Sequence, residues 1–413
     1  MFEVLRRKRF MAALALCAFL TAQGCRRQDA RVVEQTPPAR VRVGAFMSLS
    51  GDTAQYGLSA LNGIRMAVEE ANAAGGVKGH RVDLVVRDTR SDGFETTVVV
   101  DKLAREERVD ALLGEVVSSR SLAAARVAQR ERVPMLTPSA TSPEITAVGD
   151  YVFRSCYTDT FQGVALARFA VESLGALRAA ILVDRDQAYS VELARLIRED
   201  FERRGGKVVA VQEYPDGESD FSVQLAEVGA AQPDVVFIPG YYMEVALLAR
   251  QARALGISVP LVGGDGWDSP RLAQIGGQAI SGGYFTTHFS AADPDPQVQR
   301  FVADFRRLYG SAPDSFAATS YDAARIMLAA IERAPTLERA AVRDSLAATK
   351  DFPGVTGAVT FNPERNAVKP IVVVRIGDDG RQTVEAHVTP EDVAPPATPT
   401  PSPTPRRGRT RRG

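Results

Sequence analysis

A repeated alternation of short apolar runs with amphipathic helical segments constrains this chain more than any other feature of its sequence. Val41 to Met47 reads as a strand, a helix carrying Leu61, Ile64, Val68 and Ala71 on one face follows, and Val82 to Val86 reads as the next strand. Gly75-Gly76 stops that helix. The order resumes with a helix around Val98 to Glu107, a strand at Ala111 to Leu113, a helix from Ser119 and a strand at Val133 to Leu136. Strands joined through helices pair in parallel, so the alternation predicts an α/β fold with helices covering parallel sheets. The pattern restarts after Tyr151 with strands at Ala179 to Val183, Lys207 to Val211 and Val235 to Ile238, each followed by a helix. Two doubly wound parallel-sheet lobes are expected, and 413 residues suit two cores better than one. Helices at Pro296 to Tyr309, Ser315 to Arg333 and Leu337 to Thr349, then strands near Ala358 to Phe361 and Ile371 to Ile376, imply that the chain crosses between the lobes more than once.

The two ends read differently. Arg6 to Arg9 are basic and Phe10 to Leu20 apolar but too short to span a bilayer, so residues 1–24 read as a signal peptide and the protein as exported to the periplasm. Thr21-Ala22-Gln23-Gly24-Cys25 resembles a bacterial lipobox, which makes Cys25 the lipidated first mature residue. Ala22 stands where that pattern prefers Leu, and ordinary signal cleavage nearby is the alternative. Residues 25–40, polar and containing Pro37-Pro38, read as the tether of a lipid anchor. Residues 392–413, rich in Pro and Thr and then in Arg, read as a disordered tail, with contact to anionic envelope polymers as the alternative.

Composition removes several functions. Fifty basic residues balance fifty acidic ones, so no global field gathers nucleic acid. Beyond Cys17 and Cys25 only Cys156 remains, which cannot close an internal disulfide and reads as a small buried hydrophobe. His80, His288 and His387 are too scattered for a metal site. Neither a nucleophile elbow nor a phosphate or dinucleotide loop is present, and Gly263-Gly264-Asp265-Gly266 follows a late strand without a phosphate-binding lysine. No enzyme activity and no cofactor are expected.

What remains are polar and aromatic residues at the carboxyl ends of the expected strands, where open α/β sheets place their ligand crevices. Ser118-Ser119 opens a helix whose free N–H groups suit a carboxylate, although Ser is also a common cap. Ser139-Ala140-Thr141 sits after the following strand, between Pro138 and Pro143. Asp265 lies among glycines that let backbone approach a ligand, a setting equally usual for a turn aspartate. Tyr56, Tyr189, Tyr241 and Tyr242 follow strands, where a ring lines a pocket or packs at its rim.

Gly51 to Gly57 with Asn62-Gly63, Gly114 to Ser119, Pro134 to Thr141, Asp234 to Tyr242 and Gly263 to Gly266 occur in an order and spacing that resemble the leucine/isoleucine/valine-binding proteins. These are periplasmic receptors of ABC importers, and the likeness runs from about Val41 to Ile376. The resemblance implies a type I periplasmic binding fold that captures a small amino-acid-like ligand and delivers it to permease subunits in the inner membrane. It implies ligand-binding lobe 1 from residues 41–158 with 284–357, and lobe 2 from residues 159–283 with 358–391. By the same resemblance Ser118 and Thr141 hold the ligand carboxylate, the backbone at Ser139 meets the α-amino end, Tyr56 packs from the first lobe, and Tyr189 and Tyr241 close from the second. Asp265 stands where the leucine receptors carry a glutamate that receives the ammonium, and the family's first-lobe cysteine pair is replaced by Ser91 and Val117. A sensing or scaffold lipoprotein of the same fold is the alternative function.

Overall fold

In the computed structural model of the protein, residues 40–393 are described. The expected signal peptide, Cys25, most of the tether and nearly all of the tail lie outside them. No helix among the described residues is long and apolar enough to cross a membrane.

The first half lays down β1 (Val41–Met47), α1 (Ala54–Ala73), β2 (Val82–Asp88), α2 (Gly93–Arg105), β3 (Ala111–Gly114), α3 (Ser118–Glu131), β4 (Met135–Thr137), the one-turn α4 (Glu144–Ala147) and β5 (Val152–Arg154). The strands form one parallel sheet in the order β2-β1-β3-β4-β5. β3 to β5 are buried along their whole length, so they read as short apolar runs without alternation.

The chain then enters a second sheet through α5 (Asp159–Glu172), β6 (Arg178–Asp184), α6 (Ala188–Arg203), β7 (Lys207–Tyr214), α7 (Ser222–Ala230), β8 (Val235–Phe237), α8 (Tyr242–Ala254), β9 (Leu261–Gly263), α9 (Pro270–Gly276) and β10 (Tyr284–Thr287). It returns to cover the first sheet with α10 (Pro296–Tyr309), α11 (Ser315–Arg333) and α12 (Arg339–Ala347). A hairpin of β11 (Phe352–Gly354) and β12 (Gly357–Val359) precedes β13 (Ile371–Ile376) and β14 (Gln382–Val388), which complete the second sheet in the order β14-β13-β10-β9-β8-β6-β7. Two α/β lobes result, with three passages of chain between the sheets.

Two stretches lie elsewhere than the sequence suggests. Tyr284–Thr287 was expected in lobe 1, yet it pairs with β9 and β13 of the second sheet, so the second passage follows Thr287. Residues 358–369 were expected in lobe 2. β12 pairs only with β11, and Asn366 bridges to Arg154 of β5, which keeps this segment beside the first sheet.

Helix α1 is held between β1 and α11 by two glycines. A Cβ on Gly57 would fall 1.9 Å from Ser48 O, and one on Gly63 would fall 2.1 Å from Ala317 O. Any side chain there forces the backbones apart.

Candidate functional site

The crevice between the lobes is built from loops at the carboxyl ends of strands in both sheets: those after β1, β3 and β4 on one side and after β6, β8 and β9 on the other. One small cavity there is lined by Tyr56, Val116, Val117, Ser118, Ser139, Thr141, Tyr189, Tyr241, Asp265, Gly266 and Phe316. All seven residues to which the family resemblance gives a ligand role are among them, whereas Ser119 and Tyr242 are not.

On the first-lobe side, α3 begins at Ser118, so its free N–H end and the Ser118 hydroxyl meet at the wall. The loop before it is shaped by Glu115, a fully buried carboxylate. Its Oε2 accepts from the N–H groups of Val116 and Val117, both at 2.9 Å, and its Oε1 from Thr89 Oγ1 at 3.0 Å. The loop carrying Ser139 and Thr141 is tied down by the buried Arg154, whose Nη1 donates to Ala140 O at 3.1 Å and Nη2 to Ser142 O at 2.6 Å. Ser139 shares a hydrogen bond of 2.6 Å with Thr319 of α11.

On the second-lobe side, Asp265 is 4% exposed. Its Oδ2 accepts from His288 Nε2 at 3.1 Å, whereas its Oδ1 is buried without a partner. Burial lowers the His288 pKa, so the imidazole is neutral and Nε2–H is the donor, since a carboxylate can only accept. The ring lies over Tyr157 with centroids 3.8 Å apart. Asp265 N donates to Gln162 Oε1 at 2.9 Å, Gln162 Nε2 donates to Asp159 Oδ1 at 2.9 Å, and Asp159 Oδ2 is again buried without a partner. Desolvation and then the charge of Asp265 push the Asp159 carboxyl up to about 8. Two neighbouring carboxyl groups thus each keep an oxygen that accepts no hydrogen bond, and the nearer to the cavity is Asp265.

Aromatic rings supply the rest of the wall. Tyr189 and Tyr241 stack at 5.3 Å, and Tyr56 packs against Phe316 at 4.3 Å. Burial raises the phenol pKa values of Tyr56, Tyr189 and Tyr241 well above their usual range, so all three stay neutral hydrogen-bonding groups. Hydrogen bonds also cross the crevice: Tyr56 Oη donates to Gly266 O, Tyr242 N to Tyr56 Oη at 3.1 Å, Tyr242 Oη to Asp52 O at 3.0 Å, and Ala188 N to Ser119 Oγ at 3.1 Å. The lobes are thus drawn together around the cavity. Cys156 lies fully buried with its thiol pKa pushed up by burial, which suits packing and not a nucleophile.

A family model described as periplasmic binding protein matches residues 40–381. The chain belongs to the periplasmic binding protein family. Among related proteins, the leucine-, isoleucine-, valine-, threonine- and alanine-binding protein of Pseudomonas aeruginosa is 29% identical over 323 residues, 78% of this chain and 86% of that protein. A leucine-binding protein of Thermotoga maritima superposes with a TM-score of 0.81 at 37% identity, covering 85% of this chain and 99% of that one. The branched-chain amino-acid substrate-binding protein of Streptococcus pneumoniae, solved with isoleucine, gives 0.79 at 31% identity over the same shares.

In this periplasmic binding protein several residues around the crevice escaped the sequence analysis. Asp159, Gln162, Tyr157 and His288 surround Asp265, and Glu115, Arg154 and Thr319 position the loops opposite. Asp159 and Gln162 carried one usable signal, since both lie in the first turn of a helix leaving the first sheet.

Proposed function

We propose that this periplasmic binding protein captures a small amino acid, of the branched-chain class or related to it, between its lobes and delivers it to an ABC importer without chemical change. The observation that carries the reading is the unused oxygen of Asp265, which lines the same cavity as Ser118 at the N-terminus of α3. A zwitterion matches both ends. Its carboxylate meets the hydroxyls of Ser118 and Thr141 and the N–H groups of α3, while its ammonium meets Asp265 Oδ1 and the backbone at Ser139, with the Asp159 carboxyl held behind Asp265 through Gln162. The side chain then lies among Tyr56, Tyr189, Tyr241 and Phe316, an aromatic enclosure suited to an aliphatic group. The binding specificities named for the Pseudomonas, Thermotoga and Streptococcus relatives support the same class. Export to the periplasm, and anchoring there through a lipid on Cys25, belong to this reading.

Calorimetry of the purified protein against leucine, isoleucine and valine, beside the corresponding deaminated acids, tests it. Binding of the amino acids and not of the deaminated acids is the expected result. Equal binding of both sets would remove the amine-receptor role of Asp265, and binding of neither would point to a sensor or scaffold.

A further inference from the structure

Next to the ligand cavity lies a larger one of about 520 Å³. The two share no lining residue, yet they share walls. Phe316 lines the first and Ser315 the second, and the turn from residue 265 to 268 places Asp265 in one and Asp268 in the other. The second cavity is bounded by α1 at Leu58 and Ser59, by Asp268 of the second lobe, and by Phe289 on the passage between the sheets.

Its chemistry is acidic on an apolar background. Asp268 is buried, and its Oδ2 accepts from Thr287 Oγ1 at 2.8 Å and from Ser315 N at 3.3 Å, which joins the second sheet to the start of α11. Asp314 caps α11, taking Ala317 N at 2.9 Å and Ser59 Oγ on the same oxygen, Oδ1. No lysine, arginine or histidine is among the lining residues to balance these carboxyl groups. Ser315 is 1% exposed and its hydroxyl has no hydrogen-bond partner. Ser315 also links the two carboxyl groups, since it follows Asp314 directly and its N–H is a donor to Asp268 Oδ2.

We propose that this cavity is a second binding site, which takes a short aliphatic diamine with one ammonium between Asp268 and Asp314, its carbon chain against Leu58 and Phe289, and its other ammonium toward the amide side chains of Gln55 and Asn62. A bare metal ion suits it poorly, because the cavity is wide and partly apolar, and because no group of three metal-ligating side chains occurs among the described residues. An occupant there touches both lobes and the passage between them. It therefore favours the drawn-together arrangement and, by linkage, tightens binding in the neighbouring crevice.

The test is a calorimetric titration of the full chain with putrescine, with butanediol, succinate and calcium as controls, backed by the emission of Trp267, the single tryptophan, next to Asp268. Saturable binding of putrescine alone, persisting in saturating leucine and in Asp265→Ala, is the expected result. Asp314→Asn keeps the helix cap but removes the charge, and Leu58→Phe narrows the cavity from an exposed position. Each should weaken putrescine by about tenfold or more while the variant melts as cooperatively as wild type. Putrescine binding that is abolished by leucine or by Asp265→Ala would place the amine in the crevice and overturn the proposal. So would binding indifferent to both Asp314→Asn and Leu58→Phe, or no saturable binding at millimolar concentrations. The outcome does not depend on whether the crevice takes leucine, because the controls report on the two cavities separately.

Discussion

Asp265 offers one oxygen to His288 and holds the other buried without a partner. Removing one partner of such a buried charge pair weakens binding by about 2–5 kcal/mol, chiefly because the other charge is left uncompensated. Asp265→Ala should therefore lower amino-acid affinity by roughly thirtyfold or more in a calorimetric titration. Ser118→Ala should lower it less, by about 1–3 kcal/mol, since the N–H groups at the start of α3 remain. Asp159 adds a pH dependence. Its carboxyl is held up at about 8, so it is protonated at neutral pH in the ligand-free protein. An ammonium on Asp265 offsets the charge that helps hold the Asp159 carboxyl up and so favours its ionisation, and binding near pH 7 should release a proton while affinity climbs from pH 6 toward about 8 and then levels off. Stability has the opposite slope. The folded value lies above the ordinary carboxyl value of about 4, so the folded state binds the extra proton and ligand-free stability falls as pH rises between those limits. Asp159→Asn should flatten both slopes. Affinity profiles and melting temperatures across that range, unchanged by the substitution, would remove Asp159 from the account.

At the scale of elements, the crevice walls are short loops that depend on buried polar groups reaching across from neighbouring segments. Arg154, at the end of β5, holds the carbonyl groups of Ala140 and Ser142 and, through Nε, Asn366 Oδ1 at 3.0 Å. A guanidinium can satisfy all three at once because its donors diverge in a fixed plane. Arg154→Met leaves Ala140 O, Ser142 O and Asn366 Oδ1 with only their other donors, Cys156 Sγ, Ile145 N and Thr146 Oγ1, so unfolding free energy should drop by about 1–3 kcal/mol, and the Ser139–Thr141 loop should lose its fixed geometry. Denaturant unfolding measures the first effect and amino-acid affinity the second. A variant as stable as wild type that still binds normally would show that the loop holds itself.

Across the whole molecule, closure rests on hydrogen bonds between the lobes as well as on the ligand. Tyr242 lies outside the ligand cavity, yet its hydroxyl bonds Asp52 O from the opposite lobe. Tyr242→Phe removes that bond and the hydroxyl's contact with Arg271 of its own lobe, and the closed state should lose about 1 kcal/mol, read as several-fold weaker amino-acid binding without any lost ligand contact. Small-angle scattering of wild type should show a smaller radius with saturating ligand than without. A constant radius would mean that the lobes do not open. Anchoring is a property of the molecule in its envelope: Cys25→Ser should move the protein from the membrane fraction to the soluble periplasm, because the acyl chains would be lost with the thiol.

The sequence by itself determined the alternation of elements, most of their bounds and the positions of the crevice loops, because each rests on local periodicity or on turn chemistry carried by neighbouring residues. Val41–Met47, Pro296–Tyr309 and Ser315–Arg333 were legible to the residue. The seven motif residues were legible through family resemblance and converge on one cavity. The helices α5 and α9 and the strands β5, β10, β11 and β14 were not read from the sequence. β5 is three residues long, β10 carries polar threonines that the sheet buries, and β14 is an exposed edge strand with little apolar patterning. Only the tertiary structure decided the surroundings of Asp265. Gln162 is 103 residues from it in sequence, and His288 read as one of three scattered histidines. Such contacts are made by crossings of chain between the sheets, and no local pattern encodes which buried polar groups those crossings bring together.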